Sequence, residues 1–443
     1  MRRSPRRARS LRRGASFALA VVALVAAACS TAARRRVGTT TASSSGDVDP
    51  SVRVPRGPRD ASERTVRVLL ASKQATVHLT ADGAWRMFAA DGTTLLALPQ
   101  PRERWVLEQE GRSVSARRDD SRPVPLRDSP VVVRPLEPGG TVGFNGRRWR
   151  GELAISTSDD GLIVVNRVRM DDYLQGVVPL EIGTTALADV AAVEAQAVTA
   201  RSYAATRLGD RRAYDVTATT QDQVYGGADA ESRVGNLAVE STRGLVLLYN
   251  GKVVNAPYHA NCGGSTAAPQ DSWRASAEPY LQRVSDQIPG TTRSYCDQAP
   301  RFRWTRTFGG DELRDAIGRY VRTLPGGSGS IGAVTNVAVT AVTPAGRVGT
   351  LTVDTDRGKW SLRGNEIRSA LRTPAGDLLY STYFSVDVVA GRSGVERLTL
   401  HGGGNGHGVG MCQSGAIGRA RAGQDFRTIL RTYYPGTSVG TIQ

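Results

Sequence analysis

The sequence predicts an α+β fold in which mixed and antiparallel β-sheets are segregated from a long alanine-rich helix. Three observations carry this. Short runs of alternating apolar and polar residues, separated by turn residues, begin at Thr65. A segment of helical period then replaces the alternation, TALADVAAVEAQAVTARSYAATRL from Thr185 to Leu208. Beyond it, strand-like and helix-like runs come in groups rather than in strict βαβ alternation. No internal repeat is visible.

The chain opens with arginines, then an apolar run (FALAVVALVAAA from Phe17), then small residues before Cys29. This is the pattern of a secretory signal over 1–29, with an apolar run short for a membrane span. It predicts a lipid anchor on Cys29; an ordinary cleaved signal and an uncleaved anchor are the alternatives. All three put the working part outside the cytoplasm, and the lipid holds it at the outer face of the cytoplasmic membrane. Removing the seven arginines before Cys29 takes the net charge from +17 to +10. That excess suits anionic wall polymers or a membrane surface. An exported chain without a basic-aromatic binding motif argues against nucleic acid.

Residues 30–63, rich in Thr, Ser, Arg, Pro and Asp, read as a flexible linker. Residues 64–160 read as a small β domain, with strand runs such as TVRVLLA, ATVHLTA and RRWRGELAIS. Residues 161–443 form the remaining domain. In it, the helix from Thr185 has Thr184 or Thr185 as N-cap. GLVLLYNG and KVVNAPYHA make a hairpin turning at Asn250-Gly251. A polar loop through Cys296, a helix at GDELRDAIGRYV, and strands NVAVTAVTP, GTLTVDT and KWSLRG follow. A short helix at NEIRSAL, strands FSVDVV and RLTLHG, and a closing helix at DFRTILRTYY complete the chain.

Glu181 lies in YLQGVVPLEIG, read as an apolar loop between a strand and the long helix. Desolvation there raises a carboxyl pKa, as a general acid needs, although a helix N-terminus favours the ionised form. A capping or solvated glutamate is the blander reading. On the long helix Glu194 and Arg201 share one side, and Gln196 falls near the other. YDVTATTQDQVYGG, with Gln223 and Tyr225, has the character of a carbohydrate rim. His259 and Asn261 follow a strand, and His259 is either a satisfied core residue or ligand-facing.

The stretch HGGGNGHGVGMCQSGA from His401 fits no phosphate loop, nucleophile elbow or common zinc frame. What remains is a glycine backbone that lets a bulky ligand approach, with His407 and Gln413 able to bond to it. Three cysteines lie beyond Cys29. An oxidising compartment favours a Cys262–Cys296 disulfide with Cys412 free. The rival is a metal held by Cys262, Cys296, His407 and Cys412; no metal and no cofactor are assigned.

Taken in order, several segments resemble the stage II sporulation protein D family, also called the LytB amidase-enhancer family. They are YLQGVVPLEI, VEAQAVTARSYA, YDVTATTQDQVYGG, VESTRGLVLLYNGKVVNAPYHANCGG, PYL and GHGVGMCQSGA…ILRTYYPGT, spread from Arg169 to Thr437. The resemblance implies a glycan-binding cleft beside the long helix. It also implies a peptidoglycan lytic transglycosylase with Glu181 as acid and then base, closing a 1,6-anhydro ring. One carboxyl suffices for that chemistry, where a glycoside hydrolase uses two. Gln196 and Arg201 enter as substrate-binding residues through the same motifs, with Gln223, Tyr225, His259, Asn261, His407 and Gln413 along the cleft. The alternative is a non-catalytic wall-binding protein that enhances a partner N-acetylmuramoyl-L-alanine amidase. Either way the partners are peptidoglycan glycan strands and a cell-wall amidase.

Three departures stand out. The zinc ligands of sporulation members fall on Thr217, Gln221 and Asp222, none of them a thiolate or imidazole. The family's lysine in EALKAQA is Glu194 here. The loop after Glu181 is also longer than usual.

Overall fold

The computed structural model describes residues 64–441, except 120, 185, 210–211, 326 and 328–329. The signal, the linker and Cys29 lie outside the described residues.

The first strands form two sheets. One has seven strands in the order Val216–Thr217, Thr65–Gln74, Gly161–Arg169, Glu152–Ser158, Val131–Pro135, Trp85–Phe88, Leu95–Ala97. Its pairings are antiparallel apart from Thr65–Gln74 with Val216–Thr217. The other is a six-stranded antiparallel sheet from Arg147–Trp149 to Val124–Asp128. Alternation sets the inward faces: Val77 and Leu79 on one strand, and Trp85 and Met87 on another, are buried. The expected boundary at 160/161 falls in the turn of the hairpin that pairs Ser158 with Gly161. Thr65 pairs with Arg169 at the far end of the same strand. The β region and the helices after it therefore share one core, running from Val66 through Val177 and Val198 to Tyr434.

Among the described residues eight α-helices follow: α1 (Met170–Ile182), α2 (Val190–Ala205), α3 (Arg233–Ser241), α4 (Pro269–Ser272), α5 (Gly310–Val321), α6 (Glu366–Ala370), α7 (Gln413–Arg421) and α8 (Phe426–Tyr433). Helix α2 starts at Val190, after a single 3-10 turn, and not at Thr185. Thr184 does not cap it; its hydroxyl donates to the Asp189 carboxylate at 2.7 Å, which Arg421 also grips at 2.7 and 2.9 Å. Thr185 lies outside the described residues. Most of α2 is buried on every side, including the polar Gln196, Thr199, Arg201 and Ser202. It is a core helix packed by α1, α3, α7 and α8, with no solvated face.

The hairpin at Asn250-Gly251 forms, pairing Tyr249 with Lys252, and Leu245–Tyr249 also pairs with Ser438–Thr441. Between residues 303 and 403 the chain builds a second hydrophobic core that the sequence reading did not separate. Two three-stranded antiparallel sheets and helices α5 and α6 enclose Phe308, Leu313, Ile317, Leu351 and Leu398. Among the described residues no single helix is long and apolar enough to cross a membrane.

Candidate functional site

Glu181 sits in the last turn of α1, not in a loop. Asp171 and Asp172 in the first turn and a left-handed Gly183 at the C-terminus favour the helix, and Pro179 is accommodated inside it. The dipole therefore acts in the opposite sense to that expected, because the helix C-terminus disfavours a carboxylate. The Val224 N–H donates to Glu181 Oε1 at 2.6 Å, and the Tyr258 and Gln413 side chains lie near enough to the carboxyl group to favour its charged form. Burial raises its pKa, and the Val224 hydrogen bond and the two nearby side chains oppose this without reversing it.

Four segments distant in sequence thus converge on Glu181: α1, the loop through Val224, the strand Tyr258–His259 and the start of α7. A second layer locks the first. Gln413 Nε2 donates to Gln196 Oε1 at 3.2 Å, and Gln223 Nε2 donates to the Tyr258 hydroxyl at 3.1 Å. Tyr173 in turn donates its hydroxyl to Gln223 Oε1 at 3.0 Å. Gln196 Nε2 is buried with no hydrogen-bond partner among the described residues. Glu181, Gln196, Gln223 and Gln413 are thus brought together as one cluster. Tyr258, at its centre, was missed; its only local signal is an aromatic ring beside His259.

The structure places the other expected ligand-binding side chains in the scaffold. Arg201 is fully buried, donating to the carbonyls of Thr242 and Leu245 at 2.8 and 3.0 Å and facing Asp171 at 3.2 Å. Tyr225 packs on Trp149 and Tyr173, and its hydroxyl donates to Asn166 at 2.8 Å. Asn261 bridges the Cys296 carbonyl and the Gly263 N–H. His259 is buried against the Val409 carbonyl, and burial lowers its pKa. His407 stacks on Trp273 and bonds through both ring nitrogens to backbone, at Tyr258 O and Val409 N. The glycines of its stretch admit the protein's own atoms rather than a ligand. A Cβ on Gly408 would meet the Arg347 guanidinium, and one on Gly410 the Pro257 carbonyl.

Where the resemblance puts zinc ligands, Asp222 instead accepts from the Thr217 N–H and hydroxyl and from the Tyr203 hydroxyl. The expected Cys262–Cys296 disulfide is not formed in the structure. The two sulphurs stand 3.4 Å apart as free thiols, against about 2.05 Å for a bond. Asp286, not His407, joins them and Cys412 in one buried group.

These features define an α+β protein organised around a half-buried glutamate–tyrosine–glutamine cluster. The chain is homologous to the stage II sporulation protein D and amidase-enhancer family. The profile described as Stage II sporulation protein matches residues 158–249, and a domain of unknown function matches 291–410, a span that takes in the whole of the second core. The chain is 31% identical to the amidase enhancer of Bacillus subtilis over 289 residues, 60% of this chain and 40% of that protein. It is 28% identical to stage II sporulation protein D of the same organism over 292 residues, 62% and 75% of the two chains. It is also 29% identical over 301 residues to an uncharacterized protein of Brachyspira hyodysenteriae, 67% and 73% of the two chains. The match thus spans less than half of the amidase enhancer.

These relatives correct the expected lytic transglycosylase. One is named for enhancing an amidase and another for a sporulation stage, and neither name describes cleavage of a glycan. The side chains expected to grip a substrate, Arg201, Tyr225, His259 and Asn261, are committed to the fold. Glu181 is accordingly not assigned as an acid-base catalyst.

Proposed function

We propose that this chain is a wall-binding protein, without a reaction of its own, that enhances a partner N-acetylmuramoyl-L-alanine amidase on peptidoglycan. Kinship with an amidase enhancer over 60% of the chain carries this reading. Its place of action is outside the cytoplasm, in keeping with the apolar run before Cys29, and the lipid anchor at Cys29 is part of the proposal. The net charge of +10 that remains once the seven arginines before Cys29 are removed favours attachment to anionic wall polymers.

The test uses the full chain with purified peptidoglycan sacculi and a purified amidase. Release of stem peptides should speed up when the protein is added, and the protein should sediment with the sacculi. The protein alone should release no soluble fragments. Sedimentation without any change in amidase rate would refute the enhancer role, and no sedimentation would refute wall binding.

A further inference from the structure

Three cysteines and an aspartate meet at a place that the proposed function does not use. Cys262 follows the strand Tyr258–His259, Asp286 and Cys296 lie in the polar loop, and Cys412 is the N-cap of α7. Their sulphur and carboxylate oxygen atoms all lie within 4.8 Å of one another, and all four residues are buried. Cys262 Sγ stands 3.4 Å from Cys296 Sγ and 3.6 Å from Asp286 Oδ2. Around tetrahedral zinc, bonds of about 2.3 Å to sulphur and about 2.0 Å to oxygen separate ligand atoms by about 3.5–3.8 Å. The observed spacings are close to that geometry.

Backbone N–H groups point at two of the sulphurs. Gly264 N–H donates to Cys262 Sγ at 3.4 Å, and the N–H groups of Cys262 and Gly415 donate to Cys412 Sγ at 3.1 and 3.3 Å. Asp286 has its Oδ1 held by Arg419 and by the Tyr433 hydroxyl at 2.7 Å, which leaves Oδ2 turned to the sulphurs. Such outer contacts orient metal ligands. Arg347 is 1% exposed and donates to the Cys262 carbonyl at 3.1 Å, yet its Nε and Nη1 find no hydrogen-bond partner among the described residues. A buried guanidinium in that state requires nearby negative charge. Three thiolates and a carboxylate around a divalent ion carry two net negative charges, matched by the guanidinium groups of Arg347 and Arg419.

We propose that Cys262, Asp286, Cys296 and Cys412 hold a structural zinc ion. Four protein ligands and full burial leave no open position for substrate, as in structural rather than catalytic sites. The ion would join segments up to 150 residues apart and fix Gln413, the neighbour of Cys412, against Glu181. Binding replaces the thiol protons, which are released to solvent.

Elemental analysis of the full chain, purified without chelator, should find one zinc per chain. Cobalt(II) added to the chelator-treated chain should give the near-ultraviolet sulphur-to-cobalt band and the visible bands of a tetrahedral site. Cys412→Ser should weaken cobalt binding more than the roughly 10–100-fold typical of outer-shell changes. Chelation should lower the melting temperature of the native chain but not of Cys412→Ser. A Cys262–Cys296 disulfide found by peptide mapping of the alkylated, unreduced chain would overturn the proposal. So would the absence of both stoichiometric metal and a cobalt spectrum, a result that needs no variant to fold.

Discussion

The Val224 N–H meets the Glu181 carboxylate at 2.6 Å across 43 residues of sequence. This bond fastens the end of α1 to the loop that also carries Gln223 and Tyr225. The carboxyl group thus holds two elements in register, and it is partly removed from water in doing so.

Burial raises the pKa of Glu181 above its usual 4.5, so the folded state holds the proton more tightly than the unfolded chain. Its contribution to stability is therefore greatest below 4.5 and falls as pH rises through the raised folded value, then levels off. Glu181→Gln keeps an oxygen for the Val224 N–H and removes the titration. At pH 7 its melting temperature should equal or exceed that of the native chain, and the advantage should shrink towards pH 4. A difference that stays constant over that range would mean that desolvation of this carboxyl is not the cause.

Arg201→Met tests whether that arginine faces a ligand or the fold. Its guanidinium bonds the carbonyls of Thr242, Leu245 and Val239 and pairs with Asp171, which among the described residues otherwise keeps Arg243 at 3.3 Å. Removing one partner of a buried pair costs about 3–5 kcal/mol. Urea unfolding should show a loss of that order, with sacculus binding per folded molecule unchanged. Normal stability with weakened binding would restore the substrate-facing role.

The elements that periodicity could reveal were legible in the sequence. The core of α2, the hairpin at Asn250-Gly251, α5, and the strands around Leu351 and Leu398 stand where alternation or helical spacing puts them. Helix α1 was not legible, because Gly176, Pro179 and Gly183 read as loop residues while the helix is held by packing of Tyr173, Leu174, Val177 and Val178. The site divides in the same way. Glu181, Gln196, Gln223 and Gln413 came from motifs, but Tyr258 and Asp286 join their clusters only through tertiary contacts with no local signature. Arg201 misled because a charged position suggests a wet face, and α2 has none.

Gly410 has φ of 73°, and a Cβ there would overlap the Pro257 carbonyl oxygen. Gly423 has a similar φ of 82° with nothing within 4 Å. Gly423→Ala should cost only the left-handed backbone strain, about 1 kcal/mol. Gly410→Ala adds overpacking of about 1–3 kcal/mol on top of that strain. Equal melting temperatures for the two variants would show that Met411 and Cys412 can shift to relieve the clash.

His407 gives the last prediction. Its Nε2–H donates to the Tyr258 carbonyl at 2.8 Å, and its Nδ1 accepts the Val409 N–H at 3.1 Å. Only the neutral ring can do both, since protonation puts a hydrogen where Val409 donates. Burial, helped by Arg368, lowers its pKa from 6.5 to about 3. Between those values the unfolded chain binds a proton that the folded chain refuses, so stability is lost as pH falls below 6.5. The limiting slope is about 1.4 kcal/mol per pH unit, and His259, shifted the same way by burial, adds to it. His407→Gln should be less stable at pH 8 but should lose less stability between pH 6.5 and pH 5. Urea unfolding at a series of pH values measures both slopes. If they coincide, the ring at His407 is already protonated in the folded protein, and its two backbone bonds cannot be those of a neutral imidazole.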